Sequence, residues 1–90
     1  MKQILLGSVV FSKSGRDSGR FYIVTEIVDA NYVKIADGDL RRIDKPKLKK
    51  IKHLKCESAP VEKIAVKLAE GKKVFDAEIR SILRAYNGSI

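Results

Sequence analysis

The sequence predicts a mainly β fold with a helical tail: a small barrel of four or five short strands, then two short α-helices. Short runs rich in β-branched and aromatic side chains, divided by tight-turn signals, fill residues 1–55. Apolar repeats of the i, i+3, i+4, i+7 kind fill residues 61–90. A length of 90 residues argues for one domain, and closing a few short strands into a barrel removes exposed edges.

The elements follow in order. GSVVFS (7–12) is a strand. RFYIVTEIVD (20–29) is the strongest strand, nearly continuous in apolar residues, as a strand covered on both faces or bent around a barrel would be. Asp29-Ala30-Asn31 is a hairpin-type turn. In NYVKIA (31–36), Val33 and Ile35 share one face while Tyr32 and Lys34 share the other. Asp37-Gly38 is the best short hairpin signal, and LRRI (40–43) is the expected return strand. LKKIKHLK (48–55) repeats Leu48, Ile51 and Leu54 every three residues. It is expected as a closing strand with a bulge, a helical turn at 47–50 being the other option. Residues 56–60 are the linker. Pro60 opens a helix with the stripe Val61, Ile64, Ala65 and Leu68, ended by Gly71. Asp76 is the expected N-cap of a second helix, striped by Ile79, Ile82, Leu83 and Tyr86 until Asn87-Gly88. The helical pair, 61–90, should pack on the barrel or on a partner.

Composition excludes several classes. A chain this short buries roughly 60–65% of its unfolded surface, which leaves little room for a deep catalytic cleft. The single cysteine, Cys56, makes no internal disulfide, and no Cys/His cluster suits zinc. A reducing, cytoplasmic setting fits best. MKQILLGSVVF lacks a small-residue cleavage site, and no stretch approaches the roughly 20 apolar residues that span a bilayer. Asp37 and Asp39 flank Gly38 as turn formers, because no further acidic ligands follow at calcium-loop spacing. His53, the one histidine, has no evident orienting acid or nucleophile. No enzyme activity, cofactor or metal is expected.

The charge is the strongest clue. Net charge is +8, and residues 41–55, RRIDKPKLKKIKHLK, carry eight basic side chains and one acidic. Seven of the eight net charges therefore lie in fifteen residues. A solubilising surface mixes signs, whereas such concentration marks a polyanion partner.

SKSGRDSGR (12–20) joins two expected strands. It is not a Walker loop: its glycines, Gly15 and Gly19, are one residue too close, no Lys-Ser/Thr follows, and a strand rather than a helix comes next. The dinucleotide fingerprint fails for the same structural reason. The pattern Gly7-x-Val9-Val10-x-Ser12-x-x-Gly15-x-x-x-Gly19-Arg20 resembles the KOW motif, an RNA- and protein-binding element of ribosomal proteins and transcription factors. With D-x-N-Y-V (29–33) and ADGDLRRIDKPKLKKIKHL (36–54), residues 5–55 resemble the KOW-containing large-subunit ribosomal proteins of archaea and eukaryotes, the fourteen-e family. The two-helix tail resembles that of short bacterial KOW RNA-binding proteins.

The resemblance implies an SH3-like barrel that binds ribosomal RNA. It carries over to Lys13, Gly15, Arg16, Asp17, Gly19 and Arg20 of the loop, and to Asp37, Gly38, Asp39, Arg41 and Arg42 downstream. The residue chemistry agrees. Arg16, Arg20, Arg41 and Arg42 supply planar forks for phosphate or bases. Lys45, Lys47, Lys49, Lys50, Lys52 and Lys55 supply point charges, with Lys13 and His53 beside them. Gly15 and Gly19 shape the turn and open its backbone to a phosphate. Tyr22 and Tyr32 offer rings for base stacking, although packing explains each more simply. Tyr86 belongs to the helix stripe. The expected function is RNA binding in translation, with the ribosome as partner. The alternative is a protein–protein adaptor that uses the barrel edge or the helical tail.

Overall fold

The computed structural model describes residues 3–87, so the expected helix stop at Gly88 lies outside the described residues. Strands β1 (Val9–Ser12), β2 (Phe21–Ile27), β3 (Tyr32–Ala36), β4 (Lys47–Lys50) and β5 (Leu54–Cys56) form one antiparallel sheet, ordered β4-β3-β2-β1-β5. Helices α1 (Glu62–Ala69) and α2 (Asp76–Asn87) follow. Only the 3-10 turn Ile51–His53 separates the two edge strands in sequence. The four steps from Lys50 to Leu54 reach at most about 14 Å. A flat five-stranded sheet would hold its edges roughly 19 Å apart, so the sheet is strongly curled. A bulge in β2 adds to the bend: Val24 pairs with Ile35 and Glu26 with Lys34, leaving Thr25 extra.

Both faces of the central strands are covered. Val9, Ile23 and Ala36 pack against Ile64, Val74, Ile79 and Leu83 of the helical segment. The opposite face gathers Val10, Tyr22, Val24, Val33, Ile35 and Leu54. This double burial is why β2 begins as an unbroken apolar run. Beyond the bulge the cover ends, and Ile27 and Val28 are half exposed. Each fully buried aliphatic side chain contributes about 1.5–3 kcal/mol. The four from the helical segment together approach the net stability of a small domain, about 5–15 kcal/mol. The helices are therefore part of one folding unit with the sheet.

Two close backbone approaches seat the helices. The Val61 N–H donates to the Gly7 carbonyl at 3.0 Å, and a Cβ on Gly7 would lie 2.9 Å from that of Ala65. Gly38 has φ +79°, and a Cβ there would collide with the Asp76 carbonyl. Arg80 Nη1 donates to the Gly38 carbonyl at 2.6 Å. At the far end of α2, the Asn87 amide accepts from the Phe21 N–H at 2.9 Å and donates to the Phe21 carbonyl at 3.3 Å. The Phe21 ring lies between Phe11 and Tyr86, with centroids 5.0 and 5.5 Å away.

Several expectations are corrected. LRRI is not a strand; residues 37–46 form a folded connection. The N–H groups a ladder would need are taken by carboxylates: Asp37 Oδ1 accepts from Asp39 and Arg41 at 2.9 and 2.8 Å, and Asp76 Oδ1 accepts from Ile43 at 2.7 Å. The closing strand is split into β4 and β5, and its helical turn falls at Ile51–His53 rather than at 47–50. Leu48, Ile51 and Leu54 do not share a face: Leu48 is half exposed, Ile51 half buried and Leu54 buried. Helix α1 starts at Glu62 rather than at Pro60, because Val61 is extended (φ −73°, ψ 107°) and stands as the N-cap, its N–H bonded to the Gly7 carbonyl. Asp76 does not cap its own helix. Phe75 precedes the first turn, and Glu78 Oε2 reaches back to the Phe75 N–H at 2.9 Å, half of a capping box. Glu78 also accepts from Lys67 of α1 at 2.6 Å. That bond, with the Phe75 N–H second, holds its carboxyl below the usual value of 4.5.

Gly38→Ala should lower the urea unfolding free energy by more than Gly19→Ala. Both positions have a left-handed φ, worth about 1–2 kcal/mol against alanine, but a Cβ on Gly19 meets only open space. Equal losses in the two variants would show that the Gly38–α2 contact is not close.

Candidate nucleic-acid interface

The sequence-predicted side chains divide into two groups, and the division begins at Asp17. Asp17 is buried at the centre of the β1–β2 loop. Its Oδ1 accepts from Arg41 Nε at 3.1 Å. Its Oδ2 lies 3.7 Å from Lys49 Nζ, with each side chain only 8% exposed. Lys49 is opposite Val33 in the β4–β3 register, so it leaves the sheet on the apolar face. Its stem covers that face, and its ammonium donates to the Ser14 carbonyl at 2.8 Å. A Cβ on Gly15 would lie 2.9 Å from this ammonium. The glycine thus lets the loop close over the lysine. The Tyr22 hydroxyl donates to the Asp17 carbonyl at 3.2 Å. Burial first, then the Asp17 and Asp37 carboxylates, push the Tyr22 pKa up to about 12, so the hydroxyl stays neutral.

More of the basic set is engaged elsewhere. Arg20 Nε faces the buried Asp37 Oδ2 at 3.6 Å. Arg42 Nε donates to Asp76 at 3.3 Å and links the 37–46 connection to α2. Lys55 pairs with Glu57 at 3.6 Å on the surface, a contact of small energetic weight. Arg20, Arg41, Arg42 and above all Lys49 hold loops to the body of the protein. Only the charged side chains already paired inside are unavailable at the surface, and Lys49 is the clearest of these.

The rest form the candidate surface. Lys13, Arg16, Lys45, Lys47 and Lys52 are exposed, and among the described residues none forms an ion pair. Gly15 and Gly19 are also exposed in the loop. Lys13 is brought beside the 3-10 turn by its N–H, which donates to the His53 carbonyl at 2.8 Å. His53 is half buried. Loss of water, then Lys52, Lys49, Lys50 and Lys13, hold its pKa below the usual 6.5, so it is neutral at pH 7. A phosphate placed here would favour its protonated form.

Two open grooves meet on this side. One, of about 600 Å³, is lined by Ala30, Asn31, Tyr32 and Lys50; the other, of about 520 Å³, by Ile4, Lys13, Leu54, Lys55 and Cys56. Ile51 and Lys52 line both. The half-buried Cys56 thiol lies 3.3 Å from the Ser58 carbonyl. The arrangement suits a ligand with spaced negative charges and flat apolar parts. Among the described residues no group of His, Cys, Asp or Glu is arranged to hold a metal ion, and no helix is long and apolar enough to cross a membrane.

The structure also separates the two tyrosines offered for stacking. Tyr22 is 1% exposed and belongs to the core, whereas Tyr32 is half buried and lines a groove. The sequence suggests that Asp17, beside Arg16, fixes the loop rather than contacting RNA, and the structure gives it that place; its partners, Arg41 and Lys49, carry no local signal in the sequence.

No known family model matches the chain, and no curated protein matches it.

Asp17→Asn should destabilise the fold by about 3 kcal/mol in chemical denaturation, because it strands the buried Lys49 charge. Lys45→Ala should change stability by less than about 0.5 kcal/mol. Equal small effects would mean that the buried cluster contributes little.

Proposed function

We propose that the chain is an RNA-binding module with an SH3-like barrel of the KOW type. It binds structured RNA, ribosomal RNA foremost, as a ribosomal or ribosome-associated factor of the cytoplasm. The barrel reading is supported by the curled five-stranded sheet whose edges are joined by one short turn.

The observation that carries the functional reading is the fate of the basic segment. It folds into β4, the 3-10 turn and β5, and it leaves Lys47, Lys50 and Lys52 without carboxylate partners among the described residues; Lys50 and Lys52 line two grooves that Lys13 joins from the opposite loop, and Lys47 lies exposed on β4. Unneutralised lysines at one edge of a small domain repel each other, and a phosphate backbone relieves that repulsion. The module acts as a clamp: lysines track phosphates, and the 13–20 loop and grooves read shape. Ile64, Ile79 and Leu83, with Val61, Leu68 and Ile82 beside them, spend most of the apolar stripe of both helices on the sheet, and Val66, Phe75 and Tyr86 remain exposed. This favours the basic edge over the helical tail as the contact surface, and so RNA binding over the adaptor reading.

Fluorescence anisotropy with a labelled, structured fragment of ribosomal RNA tests the proposal. Binding should weaken linearly in log K against log salt, with a slope of about 0.7–0.9 for each phosphate contacted, so roughly 3–4 for four lysines. Replacing Lys13, Lys47 and Lys52 together by Glu should abolish binding with little change in Tm. Replacing Lys63 and Lys72 near α1 by Glu should leave a clear residual affinity. Salt-insensitive binding, or binding that survives the first set of changes, would contradict the proposal.

A further inference from the structure

We infer that the groove beside Tyr32 receives a single unpaired nucleotide, its base stacked on the Tyr32 ring and its phosphates held by Lys50 and Lys52. This rests on the RNA-binding reading and goes beyond it, because it selects RNA with a bulged or looped-out base over a continuous duplex. Tyr32 and Lys50 are direct cross-strand partners, so both side chains leave the sheet on the face opposite Val33 and Ile35. The apolar core therefore does not claim the ring. Lys50 Nζ lies 5.9 Å from the ring centroid, near the outer limit of a cation–π contact. It is close enough to shield the ring in the free protein and loose enough to move to a phosphate.

The walls are fixed. The Ile51 N–H donates to the Asn31 carbonyl at 2.8 Å and ties the 3-10 turn to the β2–β3 turn. That turn is itself held by Asp29 Oδ1, which accepts from the Asn31 and Tyr32 N–H groups at 2.8 and 2.9 Å. A rigid groove loses little entropy on binding. Its volume, about 600 Å³, lies within the range of small-molecule sites, roughly 300–1,000 Å³. Ile51 supplies an apolar side, and the exposed Asn31 carries an amide able to pair with a base edge. Stacking on an aromatic ring needs a base free of its helical neighbours, which an A-form stem does not offer. The groove continues through Lys52 into the Lys13 groove, so the flanking backbone has a basic track to follow.

The test compares two hairpin RNAs of one stem sequence, each closed by a non-nucleotide linker so that the closing loop offers no base, one fully paired and one with a single bulged 2-aminopurine. The wild-type protein should bind the bulged hairpin roughly tenfold more tightly and quench the 2-aminopurine fluorescence. Tyr32→Phe keeps the ring and should keep both effects. Tyr32→Leu should bind the two hairpins equally, without quenching and with an unchanged salt slope. Equal binding of the two hairpins by the wild-type protein overturns the inference while leaving the RNA-binding reading intact, as does a preference that survives Tyr32→Leu. Failure of both hairpins to bind at low salt overturns the two together.

Discussion

The ion cluster of buried Asp17 and Lys49 with partly exposed Arg41 joins three parts of the chain that no strand pairing connects. Asp17 belongs to the β1–β2 loop, Lys49 to edge strand β4 and Arg41 to the 37–46 connection. A lone buried charge costs several kcal/mol, and its partners recover that cost only in good geometry. The cluster is thus a constraint as much as an attraction: the three segments must meet in one arrangement or leave a charge stranded. The Tyr22 hydroxyl and the Ser14 carbonyl complete it from the core and from the loop. Burying Lys49 also sharpens the basic edge, because Lys13, Arg16, Lys45, Lys47 and Lys52 stay exposed without an ion pair among the described residues.

The helical tail follows a second constraint, close packing on the outer face of the sheet. Val9, Ile23 and Ala36 would be open to water without it. Gly7 and Gly38 allow the helices to approach the backbone, and Asp76 and Arg80 then satisfy polar groups of the 37–46 connection. The same α2 side chains that dock the helix therefore shape the connection that carries Arg41 and Arg42. Tail and basic edge are coupled through packing although they lie on different faces.

Much of the fold was legible in residues with local rules. Alternation in NYVKIA separates Val33 and Ile35 from Tyr32, and the period of the tail marks both helices. LRRI was misleading because its backbone partners, the carboxylates of Asp37 and Asp76, act through side chains, one of them 33 residues away from Ile43. LKKIKHLK was misleading because edge strand β4 turns Lys49 inward and Leu48 outward, the reverse of simple patterning. The concentration of charge was plain in the sequence, but which lysines remain free depends on Asp17, whose partners lie 24 and 32 residues downstream. Local reading finds the basic segment; only tertiary pairing divides it into structural and available parts.

Amide chemical-shift mapping by NMR during titration with a structured ribosomal RNA fragment tests the functional surface most directly. Shifts should concentrate at residues 13–16, 30–32 and 45–55, with α1 and the outer face of α2 unchanged. Shifts centred on the helices, with the basic edge silent, would contradict RNA binding through this surface.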